Sequence, residues 1–561
     1  MSRKNLNEIE LNGVNYSDKS TIAEIMNDFF SNVASKLDSN FAETRNFTQY
    51  AMSNPNPRSM FICPASIREI SKIVMKLKIV KTCVNNISVF VFKRIFDFIQ
   101  VPLCKIINMC IQNCIFPDTL KIARLTPIFK KGNEKEPNNY RPIASLPFLS
   151  KILERLLYDR ILSFATSPQF PILSPIQFGF RKGIGTCDAL ISLTDNIYQT
   201  LDDKFDHICI ALDLQKAFDT VNHKILLQKL SHYGIRGPVL RLFESYLDNR
   251  VQYVQIGNFK SKSVGIKIGL PQGSILGPLL FLFYINDLPN VSKKLNSILF
   301  ADDTMLSYKS PKKSNPTAIL NEQLGFVSDW MSNNRLTINV SKSAQIYFST
   351  QHCVADYVFS INGRVLENVE RTTYLGVTID KNLSFSSHTQ LVTSKISKAI
   401  GIFYKIRDYL PIEARISYYY AFIYPYLSYC VEIWGGTYSI HLKNLKMQQK
   451  RMIRLIAQVS RLSHTSPIFK RFNILKFDDI YKYKLVLRMF RCGESFRCNH
   501  TVETRNISLA VPVFHRLTKT QNAFSYQGPH AWNNLPNYIK CIRTETKFKK
   551  MVREFYIGAY S

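Results

Sequence analysis

Two places in this chain put acid where a buried strand ought to end. Ile208 to Leu214 is a continuous apolar run that meets Asp213, and the short apolar runs Ser297 to Ala301 and Thr304 to Tyr308 are separated only by Asp302 and Asp303. A carboxylate beside a core is costly unless something positive meets it. Hard divalent cations such as Mg²⁺ take oxygen ligands and need few protein carboxylates. Two such ions about 3.5–4 Å apart can activate a hydroxyl nucleophile and stabilise the leaving group of a phosphoryl transfer. Asp213, Asp302 and Asp303 on adjacent strands would meet that need. Taken alone, Asp302-Asp303 reads first as a polar hairpin turn, since Asp is a favoured turn residue.

The elements that must position these acids follow from the pattern of the chain. Arg124 to Phe129 predicts a strand followed by the turn Lys130-Lys131-Gly132-Asn133. Val251 to Ile256 alternates like a half-buried strand, and Ile346 to Phe348 and Tyr374 to Ile379 supply further strands. Helical periodicity runs from Ile67 to Leu77 and from Val89 to Cys114, and one amphipathic segment spans Ile22 to Leu37. Ser53-Asn54-Pro55-Asn56-Pro57 reads as a linker. Helices alternate with strands through the middle, which makes the class α+β. From about residue 390 the pattern turns helical and basic.

Lys and Arg number 73 against 41 Asp and Glu, a net charge of +32, which implies a polyanionic partner, most simply nucleic acid. From Gly401 onward 26 basic residues face 9 acidic ones, so the C-terminal part is the more basic. The hydrophobic fraction is 46%, enough for several packed units over 561 residues. The 12 cysteines are scattered in apolar surroundings, as in a reducing, intracellular compartment. Cys492, Cys498 and His500 lie close together, but their spacing fits no common zinc pattern. The N-terminus lacks the apolar stretch of a signal peptide. The longest apolar run, Leu279 to Ile285, is far short of the ~20 residues of a membrane span. These features predict a soluble protein without a membrane partner.

The company of the acids carries the argument further. Leu299-Phe300-Ala301-Asp302-Asp303 resembles the aromatic-Ala-Asp-Asp box of non-LTR (LINE-type) retrotransposon reverse transcriptases. The run from Ala211 through Asp213, Phe218 and Asp219 to His223 resembles that family's first catalytic motif, and Gly269-Leu270-Pro271-Gln272-Gly273-Ser274-Ile275-Leu276-Gly277-Pro278 its second. Asn139-Tyr140-Arg141-Pro142-Ile143 and Gln177-Phe178-Gly179-Phe180-Arg181 resemble two fingers motifs. Asn339 and Lys342, then Tyr374-Leu375-Gly376-Val377, resemble the closing motifs of the palm. All occur in the family's order, over roughly residues 60 to 561, and most resemble the jockey-like and CR1-like elements.

The resemblance implies a right-hand polymerase of fingers, palm and thumb with a helical basic C-terminal extension. The divisions expected are a polar segment and linker over 1–60, fingers and palm over 61–390 with a core at 111–380, a helical thumb over 391–470, and a basic region over 471–561. It implies an RNA-directed DNA polymerase that extends a DNA primer with dNTPs on an RNA template, using two Mg²⁺ ions for which Mn²⁺ could substitute. Asp213, Asp302, Asp303 and the Leu214 carbonyl would hold the metal, and Lys342 would be the general acid. Arg141, Lys130, Phe218, Gln272 and Gly273 would bind the nucleotide, with Phe218 excluding a ribose 2′-hydroxyl. Arg181 would contact nucleic acid. So would Lys443, Lys446, Lys450 and Arg454, one face of a helix expected over His441 to Gln458, where the thumb grips a duplex. The family implies action in the nucleus, although the composition fits nucleus or cytoplasm equally.

The sequence departs from the family at Lys81 to Ile87, where glycines are expected. That departure leaves a catalytically inactive, nucleic-acid-binding remnant as the alternative; the intact acids argue against it. An RNA polymerase on the same palm is disfavoured by Phe218. The segment before residue 60 is too short for the endonuclease of many relatives. Nicking of target DNA would have to come from another chain or a missing N-terminal region.

Overall fold

The computed structural model describes residues 6–39, 55–79, 87–350, 357–492 and 510–560. The expectations that rest on Lys81 to Asn86, Cys498 and His500 lie outside the described residues. In chain order the strands that build the site are β1 (Ile122–Phe129), β2 (Tyr140–Ser145), β3 (Phe205–Leu212), β4 (Arg250–Ile256), β5 (Phe259–Lys260), β6 (Val264–Ile266), β7 (Asn296–Phe300), β8 (Asp303–Pro311), β9 (Ala344–Phe348), β10 (Glu367–Asn368), β11 (Arg371–Tyr374) and β12 (Val377–Asp380). The helices that matter most are α1 (Lys19–Asp38), α2 (Phe148–Ala165), α3 (Thr186–Asp202), α4 (Leu276–Ile285), α5 (Ser386–Ile406), α6 (Ser439–Ala457), α7 (Phe477–Cys492), α8 (Phe524–Asn533) and α9 (Glu545–Gly558).

A five-stranded sheet in the order β10-β9-β3-β8-β7 forms the centre. β3 lies in its middle and pairs antiparallel with both β8 and β9. Its sequence is apolar at nearly every position because both faces of the sheet are covered. Ile208, Ile210 and Leu212 point into a core shared with α2 and α4. Cys209 points into a second core built with α3, α5, α6 and the C-terminal helices. A strand buried on both faces loses the usual apolar-polar alternation. Helix α4 is apolar all round for the same reason: every residue from Leu276 to Ile285 except Pro278 is buried.

A second sheet, in the order β2-β1-β4-β5 with β6 also on β4, stands apart from the first. One face is covered by α1, whose Ile22, Ala23 and Met26 pack on Ala123, Leu125, Tyr140, Ala144 and Val254. The polar N-terminal segment is therefore folded against the body of the protein. Asn56 of the expected linker and Met60 just after it donate backbone hydrogen bonds to the carbonyls of His232 and Gly234. Two further expectations change. The helix read over Val89 to Cys114 is interrupted at Ile95 and resumes as Phe96–Gln112. The strand read over Tyr374 to Ile379 is a hairpin, β11 and β12, turning at Leu375 and Gly376, which adopt φ of +46° and +81°. Among the described residues no helix is long and apolar enough to cross a membrane.

The C-terminal region is anchored to α3 by three acids spaced seven residues apart. Asp188 pairs with Arg488. Asp195 accepts from the backbone N–H of Phe524 and Ser525 at 2.8 and 2.9 Å, capping the N-terminus of α8 from a distant helix. Asp202 accepts from the N–H of Arg516 and Leu517 and from the Thr520 hydroxyl. The segment around Trp532-Asn533-Asn534-Leu535-Pro536 has a packing role in this arrangement. Trp532 stacks on Phe548, and the Asn533 amide pairs with the N–H and C=O of Ala510.

His207, on the central strand, is fully buried, with Nδ1 beside the Thr200 hydroxyl at 3.0 Å and Nε2 without a partner. Burial, aided by Lys309, pushes its pKa down to about 3. The folded state therefore holds it neutral, while the unfolded chain takes up a proton near pH 6.5. Stability from this group is complete above about pH 6.5 and is lost as the pH falls toward 3, by a few kcal/mol at most. His207→Leu should lessen the drop in urea midpoint between pH 6 and pH 4; an unchanged slope would exclude His207 as a source of acid sensitivity.

Candidate active site

The register of the central sheet brings the three acids together. Thr304 pairs with Leu212, so Asp303 comes level with Asp213 one residue beyond. Phe300 pairs with Asp303, which leaves Ala301 and Asp302 as a two-residue turn, with Ala301 at φ +57°. Asp302 and Asp303 are thus the turn and the first residue of a strand, not a pair of equivalent tip residues. Burial raises the pKa of Asp302, and the charge of Asp213 adds to it. Burial, then Asp302 and Asp213, pushes Asp303 up to about 6. Like charges held close disfavour ionisation in this way. Among the described residues no three His, Cys, Asp or Glu side chains form a ready metal cage. The acids are within electrostatic reach of one another without making a closed ligand set.

Asp213, and the turn that carries Asp302, are held by partners from far along the chain. The Asn339 side chain donates to Asp213 Oδ2 at 3.0 Å, and the Asn339 N–H donates to the Asp213 carbonyl at 2.7 Å. The Ser343 hydroxyl accepts from the Asp213 N–H. Leu214 forms a bridge with Ile338, and Gln215 N–H donates to Thr337. This pattern uses the carbonyl of Asp213 and the amide of Gln215, and leaves the Leu214 carbonyl out of the ladder. Across the turn, Gln177 Oε1 accepts from the N–H of Ala301 at 3.0 Å and of Gly179 at 2.9 Å. Gly179 sits so close that a Cβ there would lie 2.4 Å from Ala301 N, so only glycine fits.

Cations approach the acids from the other sheet. Lys130 and Arg141 flank the β1–β2 turn, and both are exposed. Burial, then the charges of Arg141 and Lys342, lowers the pKa of Lys130, and Asp213 opposes that. Lys130, Arg141 and Lys342 therefore share one field with Asp213. Phe218 stacks on Phe281 with ring centroids 4.5 Å apart and meets Phe180 edge-on. The loop bearing Gln272 and Gly273 is fixed to the second sheet, where Ala144 N–H donates to the Gln272 carbonyl at 2.8 Å. Gly273, at φ +139°, leaves no room for a Cβ beside Ala144 O. The buried Glu154 of α2 accepts from Ile275 and Leu276 N–H, closing the N-terminus of α4 just after this loop.

Three expected residues have structural partners instead of free charges. Arg181 donates to the carbonyls of Ser174 and Gln177. On α6, Lys446 pairs with Asp478 at 2.7 Å, and Arg454 donates to Ser463 O. Lys443 and Lys450 remain exposed there. Glu154 and Gln177 carry bracing that the sequence reading did not assign, and only the motif position of Gln177 hinted at it. The Asp219 carboxylate accepts from the Gln272 amide, in keeping with the structural role expected of it.

The mixed architecture of helices and a central antiparallel sheet is that of a right-hand polymerase, and the comparisons agree. Residues 128–379 match the family described as "Reverse transcriptase (RNA-dependent DNA polymerase)". The chain carries a reverse transcriptase domain of the non-LTR retrotransposon type. It is 27% identical over 488 residues to the probable RNA-directed DNA polymerase from transposon BS of Drosophila melanogaster, covering 84% of this chain and 53% of that protein. It is 27% identical over 445 residues to the RNA-directed DNA polymerase from mobile element jockey of the same species, covering 76% and 48%. It is 30% identical over 387 residues to the probable polymerase from transposon X-element, also from that species, covering 67% and 42%. The chain thus spans about half the length of these relatives.

Gln177→Ala would leave the buried N–H groups of Gly179 and Ala301 without their acceptor, at a cost of about 1–3 kcal/mol each. Urea unfolding should register that loss. Stability equal to the parent chain would show that the turn does not depend on this brace.

Proposed function

We propose that this chain extends a DNA primer with dNTPs along an RNA template. The observation that carries this reading is the register that brings Asp303 level with Asp213, with Asp302 in the adjoining turn, inside a field shared with Lys130, Arg141 and Lys342. Anionic and cationic groups at one place suit a reaction whose substrate is a polyphosphate and whose catalyst needs divalent cations. Asp213, Asp302, Asp303 and the Leu214 carbonyl supply an all-oxygen donor set of the kind Mg²⁺ prefers. When bound, two such ions supply charge stabilisation for the attacking 3′-hydroxyl and the departing pyrophosphate.

The protein's own groups do the rest. Arg141 and Lys130 neutralise and orient the triphosphate, a task suited to a guanidinium fork. Lys342, exposed near Lys130, gives a proton to the pyrophosphate oxygen as the bond to the α-phosphate breaks. Phe218, wedged between Phe180 and Phe281, presents a ring edge that a ribose 2′-hydroxyl would strike. Gln272 and Gly273 flank the nucleotide from the second sheet. Residues 391–470 act as the thumb, with Lys443 and Lys450 free to meet duplex phosphates.

The test is incorporation of labelled dNTP on an RNA template with a DNA primer in Mg²⁺. Asp302→Asn should lower the rate roughly 10²- to 10³-fold, the range for loss of one preorganised electrostatic group. A parent chain as inactive as Asp302→Asn would overturn the reading and leave the inactive remnant. In the same assay Phe218→Ala should raise rNTP use relative to dNTP use by roughly 10- to 100-fold. An unmoved ratio would remove Phe218 as the sugar gate.

A further inference from the structure

The helix Phe96–Gln112 is apolar on two faces. Phe96, Cys104 and Ile107 are buried in the core that it shares with α2. Phe98, Val101, Ile106 and Met109 point outward and are 86%, 62%, 56% and 49% exposed. At 3.6 residues per turn these four fall within an arc of about 140°, so they form one stripe along the outside of the helix. A helix that is apolar all round belongs under cover, and a contiguous exposed apolar surface marks a place where something docks. Two opposite charges accompany the stripe. Asp97 and Lys105 are both exposed, and both lie toward the edge that carries Val101. They stand four residues before and four residues after Val101. Neither forms an ion pair among the described residues.

That arrangement is complementary to itself. Consider a second helix of the same sequence laid antiparallel over the stripe, on a two-fold axis that passes level with Val101. Asp97 and Lys105 are equally far from the axis, so each Asp97 comes level with the partner's Lys105. An axis perpendicular to both helices keeps the same edge of each on the same side, so the charges meet across the joint. Two ion pairs form, one at each end, and the apolar stripe between them is covered. A parallel pair would instead set acid against acid and lysine against lysine. We propose that the outer face of the helix Phe96–Gln112 docks a second copy of this chain in an antiparallel, two-fold symmetric pair, with Phe98 and Val101 at its centre. A two-fold contact uses the same patch on both copies, which is what a self-complementary stripe provides. The apolar side chains supply the attraction, and the charges set direction and register. None of these residues is among those assigned to the polymerase site, so the pairing stands or falls apart from that reading.

The experiment is sedimentation equilibrium of the full chain, freed of nucleic acid by nuclease digestion. It covers roughly 0.1 to 10 μM, the range in which a dimer of micromolar Kd comes apart. The parent should reach the mass of two chains at the upper end. Phe98→Glu should remain a single chain throughout. Asp97→Lys and Lys105→Glu should each raise the Kd about tenfold or more, because each sets like charges together at both ends of the joint. The double variant Asp97→Lys with Lys105→Glu exchanges the two ends of every ion pair, so its Kd should return to within about threefold of the parent. That recovery also shows that the single variants fold. A parent that stays a single chain overturns the proposal, as does a dimer that Phe98→Glu leaves intact. Single charge reversals that do not move the Kd, or a double variant no tighter than the singles, overturn the antiparallel pairing.

Discussion

Repulsion among Asp213, Asp302 and Asp303 is the constraint around which the centre of this protein is built. Burial, and the charge of Asp213 beside them, raises the pKa of Asp302 and Asp303, so these carboxylates resist being held together. Left to local preferences, the turn would relax outward. It is held by bonds that cost little at their origin and act at a distance. Asn339 and Ser343 fix Asp213 from β9's approach, and Gln177 fixes Ala301 from the segment before α3. The motif residues around the acids thus divide into those that stand exposed and those that keep the acids in place.

The same division runs through the second sheet. Lys130 and Arg141 lie on its exposed turn, while the opposite face is sealed by α1. Lys216, three residues past Asp213, lies over the ring of Phe29 in that helix at 4.7 Å. The first helix therefore reaches the rim of the site, and the Ala144–Gln272 bond ties the loop before α4 to the second sheet. Glu154 completes the joint by closing the end of α4. The loop bearing Gln272, the second sheet and α4 are, in this region, one hydrogen-bonded unit.

How much of this was readable in the sequence depended on distance along the chain. The apolar run ending in Asp213 and the paired runs around Asp302-Asp303 mark β3, β7 and β8 because strand burial leaves a direct imprint on composition. The 3.6-residue pattern over His441 to Gln458 marks α6 to within two residues at its start and one at its end. What the pattern omits is partnership. Gln177 and Ala301 are 124 positions apart, and Glu154 and Ile275 are 121 apart. Lys446 and Arg454 carry the right charge on the right face, yet Asp478 and Ser463 take them up, a matter of tertiary packing alone. The linker of Ser53 to Pro57 has the composition of a free segment, but the part described docks on the backbone near Gly234. The turn at Leu375 and Gly376 was hidden because β11 and β12 are each only four residues long.

The anchoring of the C-terminal helices to α3 bears on how the molecule comes into being. Asp195 and Phe524 are separated by 329 positions, and Asp202 and Leu517 by 315. At ribosomal speeds of about 5–20 residues per second, α3 is made about 15 to 65 seconds before the groups that satisfy its acids. Through that interval Leu190, Leu193 and Ile197 lack much of the core that finally covers them. The central sheet matures late, as the last helices are laid on. A nascent chain of this kind offers a chaperone a long window and an apolar face, and a stop codon near residue 480 would release a protein with its acids in place and its back open.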